Sequence, residues 1–273
     1  SAPLERRGRV VRQTKLTHDI TRLEVQLDEP LAYKSGQLAN VTLSTRLPGV
    51  RRSYSFATPP REDGVVTFFV RKVPGGRLST VIHDEDLVGQ AVHLEGPLGD
   101  FWLRPAEDAT PLLLVAGGSG LAPILALLRE AATSPETSRR PVTLLFGARE
   151  ERDLYAQGEI EEIARAWRGP FELVPVLSAA PPESRWEGER GLVTDVLAKR
   201  LALFETTPTA YLCGSPAMVD RACDVLREHG GGPRLLERHT RGLPRHVPRG
   251  GWPPRRGPWR MQRHHPPRGR ARQ

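Results

Sequence analysis

"LLLVAGGSGLAPILALL", Leu112–Leu128, decides the fold. An apolar run of strand length enters a turn of three glycines and a serine, and a second apolar run of helical length leaves it. Strand, glycine turn and helix in that order begin a βαβ unit. A chain that keeps alternating this way builds a parallel sheet covered on both faces. The alternation continues: strand-like 142–146, 171–177 and 209–213 are interleaved with helix-like segments near 157–167, 192–202 and 216–229. The turn is not the G-x-G-x-x-G fingerprint, because Gly117, Gly118 and Gly120 are spaced differently. Pro123 suits the first helical turn, where its missing N–H costs nothing. Taken alone, the turn fits a tight strand-to-helix connection as well as a phosphate cradle.

Upstream the period is two. "GRVVRQTKL", "ITRLEVQL", "LANVTLS", "RRSYSFA", "VVTFFVRKV" and "AVHLEGPL" alternate and are rich in β-branched and aromatic residues. Turn-forming stretches such as "RLPG" and "VPGG" separate them. This pattern predicts an antiparallel barrel or sandwich. One short helix is expected in "GGRLSTVIHDED", with Ser79 near its start, covering a barrel mouth. The predicted fold class is therefore β followed by α/β: an antiparallel β-barrel over 1–106 and a parallel-sheet α/β domain over 107–239. The tail over 240–273 is rich in Arg, Pro and Gly with no apolar periodicity, which predicts disorder.

Charge follows the same division. The net charge is +8, yet ten arginines and no acidic residue fall after His239, leaving 30 basic against 32 acidic residues before it. The folded part is close to neutral, so whole-chain charge does not indicate a nucleic-acid partner. Cys213 and Cys223 are too few for a disulfide framework or an iron–sulfur cluster, and read as free thiols in a reducing, cytoplasmic setting. No apolar stretch reaches the roughly 20 residues of a membrane span. No metal site is expected: His18, His83 and His93 read as surface or satisfied core residues.

Four segments carry chemistry. In "RRSYSFATPP", Arg52 and Tyr54 share one strand face, with Ser53 and Ser55 on the other. An exposed barrel edge explains this, and so does a flat aromatic cofactor with a diphosphate. In the second reading Arg52 meets phosphate, Tyr54 packs on the ring and Ser55 offers a hydroxyl to a ring nitrogen. "FFVRKVPGGRLST", 68–80, brings a glycine turn to a helix start, where backbone N–H groups favour phosphate and Arg71 or Lys72 adds charge; an ordinary loop is the alternative. "VAGGSGLAP" is the third segment. "AYLCGSPAMV" ends a strand at Cys213 on the same sheet edge as the glycine turn, where open α/β sheets bind ligands. Cys213 on its own would be a buried core thiol.

In this order, across two domains of different class, the four segments resemble the ferredoxin–NADP reductase superfamily. "RSYS" looks like its flavin motif, "GGRLS" like its pyrophosphate loop and "GPLGDFWL" like the segment closing its barrel. "GGSGLAP" is similar to its nicotinamide-dinucleotide turn and "CGSPAM" to the segment beside the nicotinamide. "LAYKSGQLANVTL", "RRSYSFATPP" and "LLFGAREERDLY" are similar to the branch of aromatic-ring oxygenase reductases that includes benzoate dioxygenase reductase.

The resemblance implies an FAD-containing reductase that takes electrons from NADH and passes them to a ferredoxin or [2Fe–2S] domain serving an oxygenase component. It implies FAD contacts from Arg52, Ser53, Tyr54, Ser55, Phe69, Val70, Arg71, Gly76, Arg77, Leu78 and Ser79. The nucleotide falls to Gly117, Gly118, Ser119, Gly120, Leu121, Ala122, Pro123, Arg149, Cys213, Gly214, Ser215, Pro216 and Met218. The resemblance also implies Ser55, Ser119 and Cys213 as the catalytic residues. Ala179, Ala180 and two prolines follow Ser178, where a 2′-phosphate would want Arg or Lys, so NADH is expected over NADPH, with Arg185 as the reservation. The linker-like start "SAPLERRGRV", without Met, carries the expectation of a preceding ferredoxin domain. In "LLERH", His239 stands where the family has an aromatic residue, and the tail beyond it reads as out-of-frame translation rather than a nucleic-acid arm. The rivals are a free flavin reductase, a flavohaemoglobin reductase module, and a non-enzymatic nucleotide-binding module with an Arg-rich tail.

Overall fold

A computed structural model describes residues 2–105 and 109–229 in full, and the backbone pairing of 260–264. The period-two segments form β1 (Leu4–Lys15), β2 (Ile20–Leu27), β3 (Leu38–Leu43), β4 (Arg52–Ser55), β5 (Val65–Arg71) and β6 (Ala91–Leu98). They make one antiparallel sheet in the order β4-β3-β6-β1-β2-β5. A bridge between Phe56 and Phe68 joins its two ends, and Ala57 N–H donates to the Thr67 carbonyl at 2.8 Å beside it. Closure leaves no free edge there. Leu23, Val25, Val41, Phe56, Phe68 and Leu94 fill the interior. The short helix is α1 (Arg77–Asp84), which adds Leu78 and Ile82 to that core. His83 is buried and its Nδ1 hydrogen-bonds Thr21 Oγ1 at 2.8 Å, so it is a satisfied core histidine.

The start of the chain corrects the sequence reading. The linker-like "SAPLERRGRV" contains the whole first half of β1, and Leu4–Arg9 pair with β6. This half-strand is polar because it is largely exposed, so its backbone pairing left no apolar alternation to read.

The second sheet is parallel, in the order β10-β9-β8-β7-β11-β12. Its strands are β7 (Leu112–Gly117), β8 (Val142–Ala148), β9 (Phe171–Leu177), β10 (Glu189–Arg190), β11 (Thr209–Cys213) and β12 (Arg260–His264). Helices α2 (Leu121–Ala132), α3 (Gln157–Ala166), α4 (Val193–Leu201) and α5 (Pro216–Glu228) cover it. α2 and α3 contribute to one buried cluster, α4 and α5 to another. The first cluster includes Ile20, Ala57, Phe69 and Phe101, so the barrel and the α/β lobe share buried apolar surface.

Within the tail, Arg260–His264 pair with β11 as β12. The edge of β11 presents unpaired backbone groups, and Trp259–His265 is the longest stretch of the tail free of Pro and Gly. The remaining residues after His229, including "LLERH" and His239, lie outside the described residues.

Candidate functional site

Sheet order selects the site. β8 and β9 lie to one side of β7 and β11 to the other, so the connections diverge between the C-terminal ends of β7 and β11. Ligands of open α/β sheets bind at such a point. A cleft of about 840 Å³ opens there, between the parallel sheet and the barrel.

Its floor is made of glycines. A Cβ on Gly120 would lie 2.3 Å from the Cys213 carbonyl oxygen, so the two turns touch backbone to backbone. Gly118 has φ +54, a left-handed conformation that suits glycine, and only Arg71 Cδ comes within 4.0 Å of an added Cβ. Met218 fills the notch between Gly117 and Gly214, with Sδ 2.9 Å from an added Cβ on either. Ser215 caps α5 by accepting from Met218 N–H at 3.2 Å, and Pro216 occupies the first helical turn.

The barrel supplies the opposite wall. Ser53, Tyr54, Ser55, Phe69 and Arg71 border the cleft. Burial pushes the Tyr54 phenol up, so it stays protonated, and its ring packs against Phe68 with centroids 6.5 Å apart. Ser53 Oγ donates to Asn40 Oδ1 at 2.5 Å. Arg71 Nε donates to Asp19 Oδ2 at 3.3 Å. Cys213 is buried at the cleft edge, and burial raises its thiol far enough to keep it neutral. It therefore offers no thiolate for nucleophilic or base chemistry.

Gly117, Gly118, Ser119, Gly120, Ala122, Arg149, Cys213, Gly214, Ser215, Pro216 and Met218 also border the cleft. The other expected residues lie elsewhere. Arg52 extends along the short strand β4 and donates to its neighbour Arg51's carbonyl at 2.8 Å. Val70 and Leu78 point into the barrel core, and Leu121 and Pro123 are buried in the first turn of α2. Gly76, Arg77 and Ser79 are outside the lining; Ser79 Oγ instead accepts from Val73 N–H at 3.0 Å and shapes the loop before α1.

Several lining residues had no motif. His18 and Asp19 arrive from the β1–β2 turn, and His18 Nδ1 sits 3.3 Å from Asp153 Oδ1 of the other lobe. Gly147 lies within the last residues of β8, and Glu150, Ser178 and Gly191–Val193 follow the ends of β8, β9 and β10. The strand-end rule that picked out Gly117 would have found Gly147 and Ser178; nothing local marks Asp19.

The donor set fits a dinucleotide. It offers an open glycine turn, the hydroxyls of Ser55 and Ser119, the guanidinium groups of Arg71 and Arg149, and an aromatic wall at Tyr54. A barrel lobe facing a parallel-sheet lobe across such a cleft defines a two-domain cofactor-binding oxidoreductase. Residues 7–102 match the oxidoreductase FAD-binding domain family, and residues 114–224 match the oxidoreductase NAD-binding domain family. The chain belongs to the ferredoxin reductase-like family of FAD- and NAD-binding oxidoreductases.

Among its relatives is the xylene/toluene monooxygenase electron transfer component of Pseudomonas putida, 41% identical over 81% of this chain and 61% of that one. The reductase component of the Pseudomonas putida naphthalene 1,2-dioxygenase system is 39% identical over 84% of this chain and 67% of that protein. The crystal structure of an Amycolatopsis cytochrome P450 reductase superposes with a TM-score of 0.73 at 33% identity, covering 85% of this chain and 68% of that one. The chain thus spans about two thirds of the length of these relatives. Among the described residues, no helix is long and apolar enough to cross a membrane.

Proposed function

We propose that this protein carries electrons from NADH through FAD to an iron–sulfur acceptor of an oxygenase system. One observation carries the reading: Tyr54 and Ser55 of the barrel face the glycine turn 117–120 and the segment 213–218 across a single cleft. FAD, when bound, accepts a hydride and releases electrons singly. The chain's own groups bind and orient. Tyr54 gives an apolar wall for a flat ring, Ser55 a hydroxyl at its edge, and Arg71 a cation shared with Asp19 for phosphate. The turns at Gly118 and Ser215 offer backbone N–H groups at helix starts, and Arg149 meets the adenosine half. Ser55, Ser119 and Cys213 serve by position, since no acid–base pair is needed. The relatives' roles in oxygenase systems support a ferredoxin or [2Fe–2S] partner.

The division near residue 106 and a cytoplasmic location belong to the same proposal; the matched family boundaries support the first, and two buried cysteines not joined in a disulfide support the second. NADH is the donor we assign. Arg185 stands outside the cleft lining, and Arg152, which borders it, is held by the carboxylate of Glu150 at 2.9 Å, leaving Arg149 as the cation there set against the preference for NADH.

The test is to incubate the purified protein with FAD, remove free flavin, and add NADH without oxygen. Retained yellow colour that bleaches, with ferricyanide reduced in proportion, is expected. A protein that takes up no FAD overturns the reading.

A further inference from the structure

We infer that Tyr155 is a positioning residue: its hydroxyl and ring set the glycine turn 117–120 against the barrel lobe. The inference rests on the proposed function for its kinetic consequence and on geometry alone for its cause. Tyr155 is 5% exposed, and its hydroxyl donates to the Gly118 carbonyl at 2.7 Å. Gly118 is the left-handed residue of the turn, so this bond fixes the peptide that decides where the next N–H groups point.

The ring of Tyr155 meets Phe69 of β5 edge-on, with centroids 5.6 Å apart, and Phe146 of β8 edge-on, also at 5.6 Å. Phe69 borders the cleft from the barrel side. One side chain thus touches the barrel wall, the parallel sheet and the turn between them. The next residue, Ala156, has φ 59, the only positive φ on a non-glycine among the described residues. An alanine held left-handed signals that its surroundings over-determine it. Here the bend turns the chain from the segment carrying Tyr155 into α3.

A residue that only filled space would need no hydroxyl. Tyr155→Phe keeps the ring and removes the bond. In the protein as purified, amide hydrogen exchange of residues 117–121 is expected to quicken about tenfold, the scale of one lost hydrogen bond, while barrel peptides exchange as before. With FAD bound, the NADH concentration giving half-maximal flavin bleaching is expected to rise about tenfold at unchanged FAD content. Phe146→Leu is the control for packing, since it thins the same cluster on the sheet side; it should lower the melting temperature without opening 117–121. Wild-type exchange in Tyr155→Phe overturns the inference, and so does equal opening in Phe146→Leu. Absence of bleaching in the wild type defeats the proposed function instead, and the exchange comparison still decides the role of Tyr155.

Discussion

Glu159 of α3 accepts a 2.8 Å hydrogen bond from Arg22 of β2, joining the two lobes through side chains only about a quarter exposed. Its other oxygen accepts from Arg129 of α2 at 3.0 Å. Arg22 lies over the Phe69 ring, and its Nε is buried with no partner. One carboxylate therefore balances two guanidinium groups at the seam. Removing it leaves both cations uncompensated, which costs more than the pair contributes when intact. Glu159→Ala is expected to lower unfolding stability by about 2–3 kcal/mol, read by urea titration. A loss under about 0.5 kcal/mol would place this triad with surface ion pairs.

The two central glycines of the turn separate two kinds of constraint. At Gly120 the limit is space, because an added Cβ would sit 2.3 Å from Cys213 O. At Gly118 the limit is φ +54, with nothing nearer than 4.0 Å. Gly120→Ala must part the ends of β7 and β11, at an expected loss of about 3 kcal/mol. Gly118→Ala strains only the backbone, at about 1 kcal/mol. Thermal melts of the two variants rank them, and the reverse order would contradict the packing of the turns.

How much of this was legible follows from where the signal lives. β2, β3 and β6 bury largely alternate residues in the barrel, and β5, β7 and β11 are buried along nearly their whole length, so their patterns named them. The first half of β1 has little buried face and read as linker. β10 is two residues long, too short for any period. In the site, Gly117 to Gly120 and Cys213 to Met218 announced themselves because strand, turn and helix are contiguous. His18 and Asp19 meet the other lobe only through docking, a long-range event without local pattern, whereas Tyr155, which ends the segment "LLFGAREERDLY", reaches Gly118 within its own lobe. Arg52 is not among the residues bordering the cleft although its neighbours Ser53 and Tyr54 are, because its side chain donates to the Arg51 carbonyl; strand alternation fixes a residue's face but not the course of a long side chain.

Tyr54 tests the barrel wall. Its phenol is held neutral by burial, so in the proposed function the ring rather than an ionised oxygen would meet the flavin. Tyr54→Ala removes that ring and is expected to weaken FAD binding at least tenfold, the scale of one aromatic contact plus its buried area. Tyr54→Phe keeps the ring and should stay within about threefold. Titration of apoprotein with FAD, followed by quenching of flavin fluorescence, measures both. Equal losses would shift the role to the hydroxyl.

Nucleotide choice turns on the charges bordering the adenosine end. Glu150 accepts from Arg152 Nε at 2.9 Å, and its side chain also caps the short helical turn that follows. Arg190 ties down the loop after Ser178 through the carbonyls of Pro181 and Trp186, both at 3.0 Å, which leaves Arg185 exposed. The expected result is kcat/KM at least about tenfold higher with NADH than with NADPH, equivalent to about 1.4 kcal/mol. Glu150→Gln retains an oxygen for the cap and removes the charge, so it should narrow the ratio several-fold. A wild-type preference for NADPH would assign Arg149 to the 2′-phosphate instead.

Alkaline stability tests the barrel core. Tyr33 stacks on Phe56 with ring centroids 3.8 Å apart, and its hydroxyl donates to the Thr58 carbonyl at 2.9 Å. Burial, the largest cause, pushes this phenol up to about 12 from the ordinary 10.0. The folded state thus binds the proton more tightly than the unfolded chain. Its contribution is fully present below pH 10.0 and is lost as pH rises towards about 12. Across that window Tyr33 should account for about 2–3 kcal/mol of lost stability, since each unit of difference is worth about 1.4 kcal/mol. Tyr33→Phe has no proton to lose. It is expected to be less stable than the wild type near neutrality by about 1 kcal/mol, for the missing hydrogen bond, and to decline less steeply above pH 10.0. Urea unfolding at stepped pH measures the two slopes, and parallel slopes would show that Tyr33 ionises as freely in the fold as out of it.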